Sequence, residues 1–269
     1  MAHPNRLANT RILIFGGTSG IGFGVASLAL SNGATVIISG SRQPKVDSKV
    51  QELASLYPDL PASRVLGYAC DLSDIAGIDA NIKDILDKAT ENGTKTLDHI
   101  VHTAGDALKL PTLQDVTVEN ALAGFHVRFL TGVMVGKHLA TDPGYYMPVS
   151  PTSSLTLTSG TNSEKPRPGW SLGASWGSAV EGLSRGLAVD LKPIRVNVVA
   201  PGAIETPLLE KFVQAVGEEK AEEMRREGSL VGRWGSVGDC AEAYAWGMRD
   251  WFVTGVRIES NGGRMLMGP

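Results

Sequence analysis

The chain has 269 residues, 42% hydrophobic and 20% charged, enough to bury one sizeable core. Its formal net charge of −3 gives no electrostatic reason to expect a nucleic-acid or anionic-membrane partner. Two cysteines, Cys70 and Cys240, with no CxxC and no His cluster, argue against a disulfide scaffold and a metal site. No apolar run approaches the roughly 18 residues of a membrane span, and MAHPNRLANT holds no signal core. The expectation is a soluble, cytoplasmic protein.

Short Ile- and Val-rich runs alternate with amphipathic stretches. Strands are predicted at 11–16, 34–40, 64–69, 97–105, 154–160, 194–200 and 256–262. Between them IGFGVASLALSNG, IDANIKDILDKAT and VENALAGFHVRFLTGVMVGKHLA carry helical spacing. GWSLGASWGSAVEGLSRGLAVDL reads as a long helix, and EEKAEEMRRE (Glu218 to Glu227) as a solvated helix face. Stretches 141–153 and 160–169 are turn-rich loops. This alternation predicts a single α/β domain over 1–269, a doubly wound, seven-stranded parallel sheet with helices on both faces. The second loop follows a strand's carboxyl end, where such sheets bind ligands.

FGGTSGIGFG (Phe15 to Gly24) sits between the first strand and a helix. Gly16 allows the tight turn, Gly20 lets backbone approach a diphosphate, and Gly22 permits close packing of the helix. With Thr18, Ser19 and Ile21 they form the candidate phosphate cradle at a helix N-terminus, a Rossmann-type arrangement. The second strand ends IISGSR and lacks the acid that would hold a ribose 2′-hydroxyl. Ser41 and Arg42 stand there instead, and a guanidinium suits a 2′-phosphate. The expected cofactor is NADP(H). Asp71 and Leu72, after the third strand, are expected to face the adenine.

With FGGTSGIG, CDLSD, HTAG (102–105), LTSG (157–160), RVNVVAPGAIETPL (195–208) and VTGVRIESNGG (253–263), the chain resembles the short-chain dehydrogenases/reductases over roughly residues 9–265. The resemblance implies that Ala104 and Gly105 line the cofactor channel. It places Pro201, Gly202, Ile204 and Thr206 at the nicotinamide, and makes about 207–234 the substrate lid. It also implies a homodimer or homotetramer acting on a small-molecule substrate.

That family's chemistry uses Asn, Ser, Tyr and Lys. Here the Ser matches Ser159, while the Tyr, Lys and Asn positions fall at Gly173, Gly177 and Arg128. No tyrosine in the chain is followed four residues later by lysine. PRPGW (Pro166 to Trp170) and Arg128 resemble a divergent branch with fungal alkaloid-pathway reductases and Diels–Alderases, whose loop reads P-D-P-G-W; here Arg167 replaces the acid.

Reducing a ketone creates an alkoxide that needs a proton donor, whereas reducing an iminium yields a neutral amine without one. The candidate constellation is Ser159, Arg128, Asp106, Glu164 and Arg167. Ser159 would bond substrate or cap a strand end. Arg128 would stabilise an anion or form a structural ion pair. Glu164 or Asp106 would act as base or cation partner. Trp170 and Trp176 flank the space left by the two glycines and would wall it or pack in the core. The reading is an NADP(H)-dependent oxidoreductase of specialised metabolism, reducing an iminium or conjugated carbonyl. A non-redox cyclase or isomerase that keeps NADP(H) as a wall, and a nucleotide-binding pseudoenzyme, are the alternatives.

Overall fold

The first strand explains the layering. In β1 (Arg11–Phe15), Ile12 and Ile14 face one side of the sheet and Leu13 and Phe15 the other, and all four are fully buried. Side chains alternate along a strand, so both faces must be covered. The same alternation runs through β2 (Thr35–Gly40), where Val36 and Ile38 join one core and Ile37 the other. The computed structural model describes residues 2–106 and 110–268, apart from the side chains of 215 and 216.

The remaining strands are β3 (Val65–Ala69), β4 (His99–His102), β5 (Ser154–Thr158), β6 (Arg195–Pro201) and β7 (Arg257–Ser260). All pairings are parallel, in the order β3-β2-β1-β4-β5-β6-β7. Helices α1 (Gly20–Ser31), α2 (Gln43–Leu56), α3 (Ile78–Ala89), α4 (Val118–Ala123), α5 (Thr131–Thr141), α6 (Ser171–Asp190), α7 (Pro207–Val216), α8 (Glu218–Glu227) and α9 (Val237–Arg249) complete the regular structure. Helices α1, α2 and α9 supply one core. The other comes from α3, α5 and α6. Cys70 and Cys240 are free and buried, and burial pushes each thiol up to about 12. Among the described residues, no helix is long and apolar enough to cross a membrane.

The chain runs outward from β1 to β2 on one side and reaches β4 on the other, so the carboxyl ends of β1 and β4 frame a topological switch point. Two expectations need correction there. The fourth strand, expected over 97–105, is regular only over 99–102. Past His102 the chain crosses the glycine turn, and Ala104 N lies 2.6 Å from where a Gly16 Cβ would sit. The expected helix from Val118 onward is broken into α4, a π-helical turn at His126–Leu130, and α5. A cause is visible: His102 Nε2 lies 3.1 Å from Val127 O and bonds a carbonyl in the turn.

Candidate active site

The nucleotide side is built from backbone. Gly16 has φ +82° and Gly20 φ +51°, the left-handed region that glycine enters without strain. A Cβ on Gly22 would lie 2.4 Å from Gly16 O and 2.4 Å from Thr103 Oγ1, so only glycine lets α1 start this close to the turn. A Gly20 Cβ would come 3.1 Å from Thr206 Cγ2, which joins the turn after β1 to the turn after β6. Thr18 is buried beside Gly40, while Ser19 N-caps α1 without a side-chain bond. The turn therefore presents N–H groups over a cradle closed to side chains, which fits a dinucleotide diphosphate.

Ser41 and Arg42 are exposed beyond β2, and Arg42 makes no side-chain hydrogen bond or ion pair among the described residues. Asp71 is folded into its own turn: its Oδ1 accepts from Ser73 N at 2.9 Å and Ser73 Oγ at 2.6 Å. Those bonds, Ser73 Oγ first, hold its carboxyl below the usual range. Leu72 is buried. The Thr206 hydroxyl is committed locally, donating to Ile204 O at 3.2 Å and capping Leu209 N. The two ends of the segment expected as a lid are tied, with Glu205 N donating to Gly235 O at 2.8 Å and Gly235 N to Ala203 O at 3.0 Å. Beside them a cavity of about 240 Å³ is lined by residues including Ala203, Ile204, Trp234 and Asn261. Pro201 ends β6, and Gly202 packs so tightly on Asn261 that a Cβ would lie 2.9 Å from its Cα.

The substrate side is built from side chains. Ser159 follows β5, and its Oγ donates to Glu181 Oε1 at 2.7 Å. Ser163 Oγ lies 2.6 Å from the same oxygen and 2.7 Å from Gly160 O, its one proton shared between them, and Arg257 Nε donates to Oε1 at 3.1 Å. The Glu181 and Arg257 side chains are only 13% and 14% exposed. Arg257 also pairs with Glu164 at 2.9 Å and with Glu259. One guanidinium thus faces three carboxylates, leaving this sector net negative.

Glu181 was absent from the expected constellation, although a signal existed. It lies four residues after Gly177 and eight after Gly173, on one stripe of α6. Arg257 gave no such signal, because it reaches Glu181 from the last strand across 76 residues of sequence. Glu164 is Arg257's partner and not an isolated base. The space opposite the two glycines is also partly filled. A Cβ on Gly173 would meet the Trp170 ring at 3.2 Å, and one on Gly177 would meet Ser163 Cβ at 3.1 Å. Trp170 walls the cleft, whereas Trp176 is buried against Gly124 and donates from Nε1 to Ala121 O at 2.9 Å.

Arg128 and Asp106 form a separate pair. Arg128 Nη1 donates to Asp106 Oδ1, and Nη2 to Asp106 O at 2.6 Å. The guanidinium lies flat under the chain, 2.6 Å from where a Gly105 Cβ would be. It therefore reaches the cleft beside Ala104 and Gly105 already neutralised by a carboxylate. Its π-turn is held by His102, whose ring is buried and pushed down to about 4 by that burial. Since His102 Nε2 donates to Val127 O, Nδ1 carries no proton, and it has no partner among the described residues. Thr158 Oγ1 donates to His102 O at 2.6 Å and so receives the Tyr244 hydroxyl at 2.8 Å, tying β4, β5 and α9 together below the cleft.

Arg167 stands apart from both groups. Its Nη1 reaches only Met224 Sδ of α8, at 4.0 Å. The five expected residues therefore form three assemblies: Ser159 with Glu164 through Glu181 and Arg257, Arg128 with Asp106, and Arg167 alone.

The SDR-like Rossmann domain model matches residues 3–267. The short-chain dehydrogenase/reductase malC of Malbranchea aurantiaca is 40% identical, over 97% of this chain and 96% of its own. The short-chain dehydrogenase/reductase fsr5 of Gibberella fujikuroi is 34% identical, over 98% and 97%. The solved structure of MalC Reductase/Diels-Alderase from Malbranchea aurantiaca superposes with a TM-score of 0.89 at 39% identity, covering 98% of this chain and 100% of that one. The chain, with a seven-stranded Rossmann-type sheet and no Tyr-x-x-x-Lys pair, belongs to the short-chain dehydrogenase/reductase family.

Proposed function

We propose an NADP(H)-dependent reductase of specialised metabolism that takes an iminium, or a conjugated carbonyl polarised like one. The observation that carries this reading is the direction of the Ser159 hydrogen bond. A carboxylate only accepts, so Ser159 must give its single proton to Glu181, whereas the one proton of Ser163 is shared between Glu181 Oε1 and Gly160 O. Ser159 Oγ then offers lone pairs to the cleft. It can receive an iminium N–H, but it has no proton left for a ketone oxygen. The net-negative sector around Arg257 supports a cation in the same way.

When bound, the nicotinamide supplies the hydride. Addition at the iminium carbon moves the π pair onto nitrogen and gives a neutral amine, so the missing tyrosine is not required. Ser159 orients the nitrogen and Trp170 covers the substrate's apolar face. Arg42 and Ser41 would hold the cofactor's 2′-phosphate.

A dihydroisoquinolinium and the ketone of matching shape, each followed by loss of NADPH absorbance, test this. The expected result is at least a hundredfold preference for the iminium, reduced about tenfold by Ser159→Ala, the loss of one charge-supported hydrogen bond. Preferential ketone reduction overturns the reading. The second reading, cyclisation without redox change, is favoured by the likeness to a reductase/Diels-Alderase. It requires product to form with NADP⁺ and no change in absorbance.

A further inference from the structure

The cleft loop carries a second, oppositely charged sector. Arg167 lies on the loop 160–169 and Arg264 is hydrogen-bonded to that same loop, and no carboxylate pairs with either among the described residues. Arg264 is fixed by neutral groups: Nε donates to Thr161 Oγ1 at 3.2 Å, and Nη2 to Lys165 O at 3.1 Å and Asn162 Oδ1 at 3.5 Å. These bonds pin it to the loop that begins one residue after Ser159. Arg167, on the same loop, has only the thioether of Met224 beside its guanidinium. Both side chains are half-buried, and burial holds both guanidiniums below their usual range, the Arg264 charge adding to the effect at Arg167. Half-buried like charges held at one short loop cost stability unless an anion neutralises them.

Arg167 is linked to the cleft wall and to the 207–234 segment. Trp170 N donates to Arg167 O at 3.0 Å, so the arginine is tied to the residue that walls the Gly173 space. Met224 belongs to α8, within the lid. A site between the loop and the lid, half-closed to solvent, suits an anionic group on a small molecule.

We propose that Arg167, supported by Arg264, binds a carboxylate of the substrate. This rests on the iminium reading and narrows it: the substrate carries a cationic C=N toward Ser159 and Glu181 and an anionic group toward Arg167. The arrangement also accounts for two charge sectors of opposite sign on one short loop.

The probes are 3,4-dihydroisoquinoline-3-carboxylate and its methyl ester as substrates, and the corresponding tetrahydro acid and ester as ligands that cannot be reduced. Calorimetric titration of NADPH-loaded protein with the tetrahydro pair reads the anion site without any hydride transfer, because neither the reduced cofactor nor the amine can accept a hydride. The acid should bind at least tenfold more tightly than the ester. Arg167→Gln should bring the two to parity, Arg167→Lys should keep part of the preference, and Arg167→Glu should reverse it. An unchanged melting temperature in Arg167→Gln separates lost recognition from lost folding. Equal affinity of acid and ester for the wild type, absence of binding by both, or a preference that survives Arg167→Gln overturns the proposal. The two readings fail separately. A binding preference for the acid without reduction of either dihydro probe sinks only the hydride reading. Reduction of both at equal kcat/KM sinks only the anion site.

Discussion

The two sides of the cleft solve the problem of holding a ligand by opposite means. Toward β1 and β2 the wall is backbone: Gly16, Gly20 and Gly22 let the turn and α1 close on one another, and Arg42 is exposed with no ion-pair partner among the described residues. Toward β5 and α6 the wall is side chain, where Glu181 collects Ser159, Ser163 and Arg257 on a single oxygen. A backbone wall tolerates almost no substitution but carries no charge pattern of its own. A side-chain wall can be rewired, and here it is rewired around a carboxylate while the frame is untouched.

The largest expected effect is at Gly22. Gly22→Val places carbon atoms within 2.4 Å of Gly16 O and Thr103 Oγ1. Overpacking of this kind costs about 3 kcal/mol, and nucleotide binding should fall more than a hundredfold by calorimetry. Near-normal binding would show that the backbone wall is looser than its geometry.

Next comes acid sensitivity, which probes the seam between the sides. Burial depresses His102 to about 4 and His99 to about 3. A histidine held neutral in the fold but free to protonate when unfolded, near pH 6.5, gives stability that is complete above that pH. That stability is lost as pH falls from about 6.5 toward about 4. The His102 share is about 3 kcal/mol. Urea midpoints measured across this window should fall, and less steeply for His102→Gln.

Glu181→Gln sharpens the comparison most directly. Losing the charge that orders two serines and an arginine should cost about 1.5–3 kcal/mol. Reduction of an iminium should drop about tenfold to a hundredfold in kcat/KM, and the margin over a ketone should shrink as Ser159 regains a proton to donate. An unchanged margin would place substrate discrimination elsewhere. The smallest effect is expected at Arg42→Ala, about tenfold weaker NADP⁺ binding with NAD⁺ unaffected, the loss of one charge-assisted contact.

These contrasts explain what could be read before folding. The seven strands and the glycine turn were legible because each rests on local periodicity or on a residue type that backbone geometry demands. The segment expected as a lid, about 207–234, opens on the first residue of α7 and ends next to the Gly235 bridge. The side-chain wall was legible only in part. Ser159 and Glu164 were singled out, but the residue that joins them, Arg257, lies on the last strand, and no local pattern announces a pair separated by 76 positions. Arg128 and Asp106 were both singled out, and the ion pair between them is one of the alternatives open for each in the sequence. The break between α4 and α5 was illegible because it depends on a buried ring from β4.

That break has a consequence for how such a cleft can change. In a straight α-helix, adding or removing one residue turns everything beyond it by about 100°. The π-turn at His126–Leu130 carries one surplus residue per turn, and Arg128 sits within it. The aim of this guanidinium at Asp106 is thus a matter of phase as much as of residue type. A single-codon deletion here would unwind the bulge and swing a different side chain into the cleft, offering a route between chemistries that no point substitution provides.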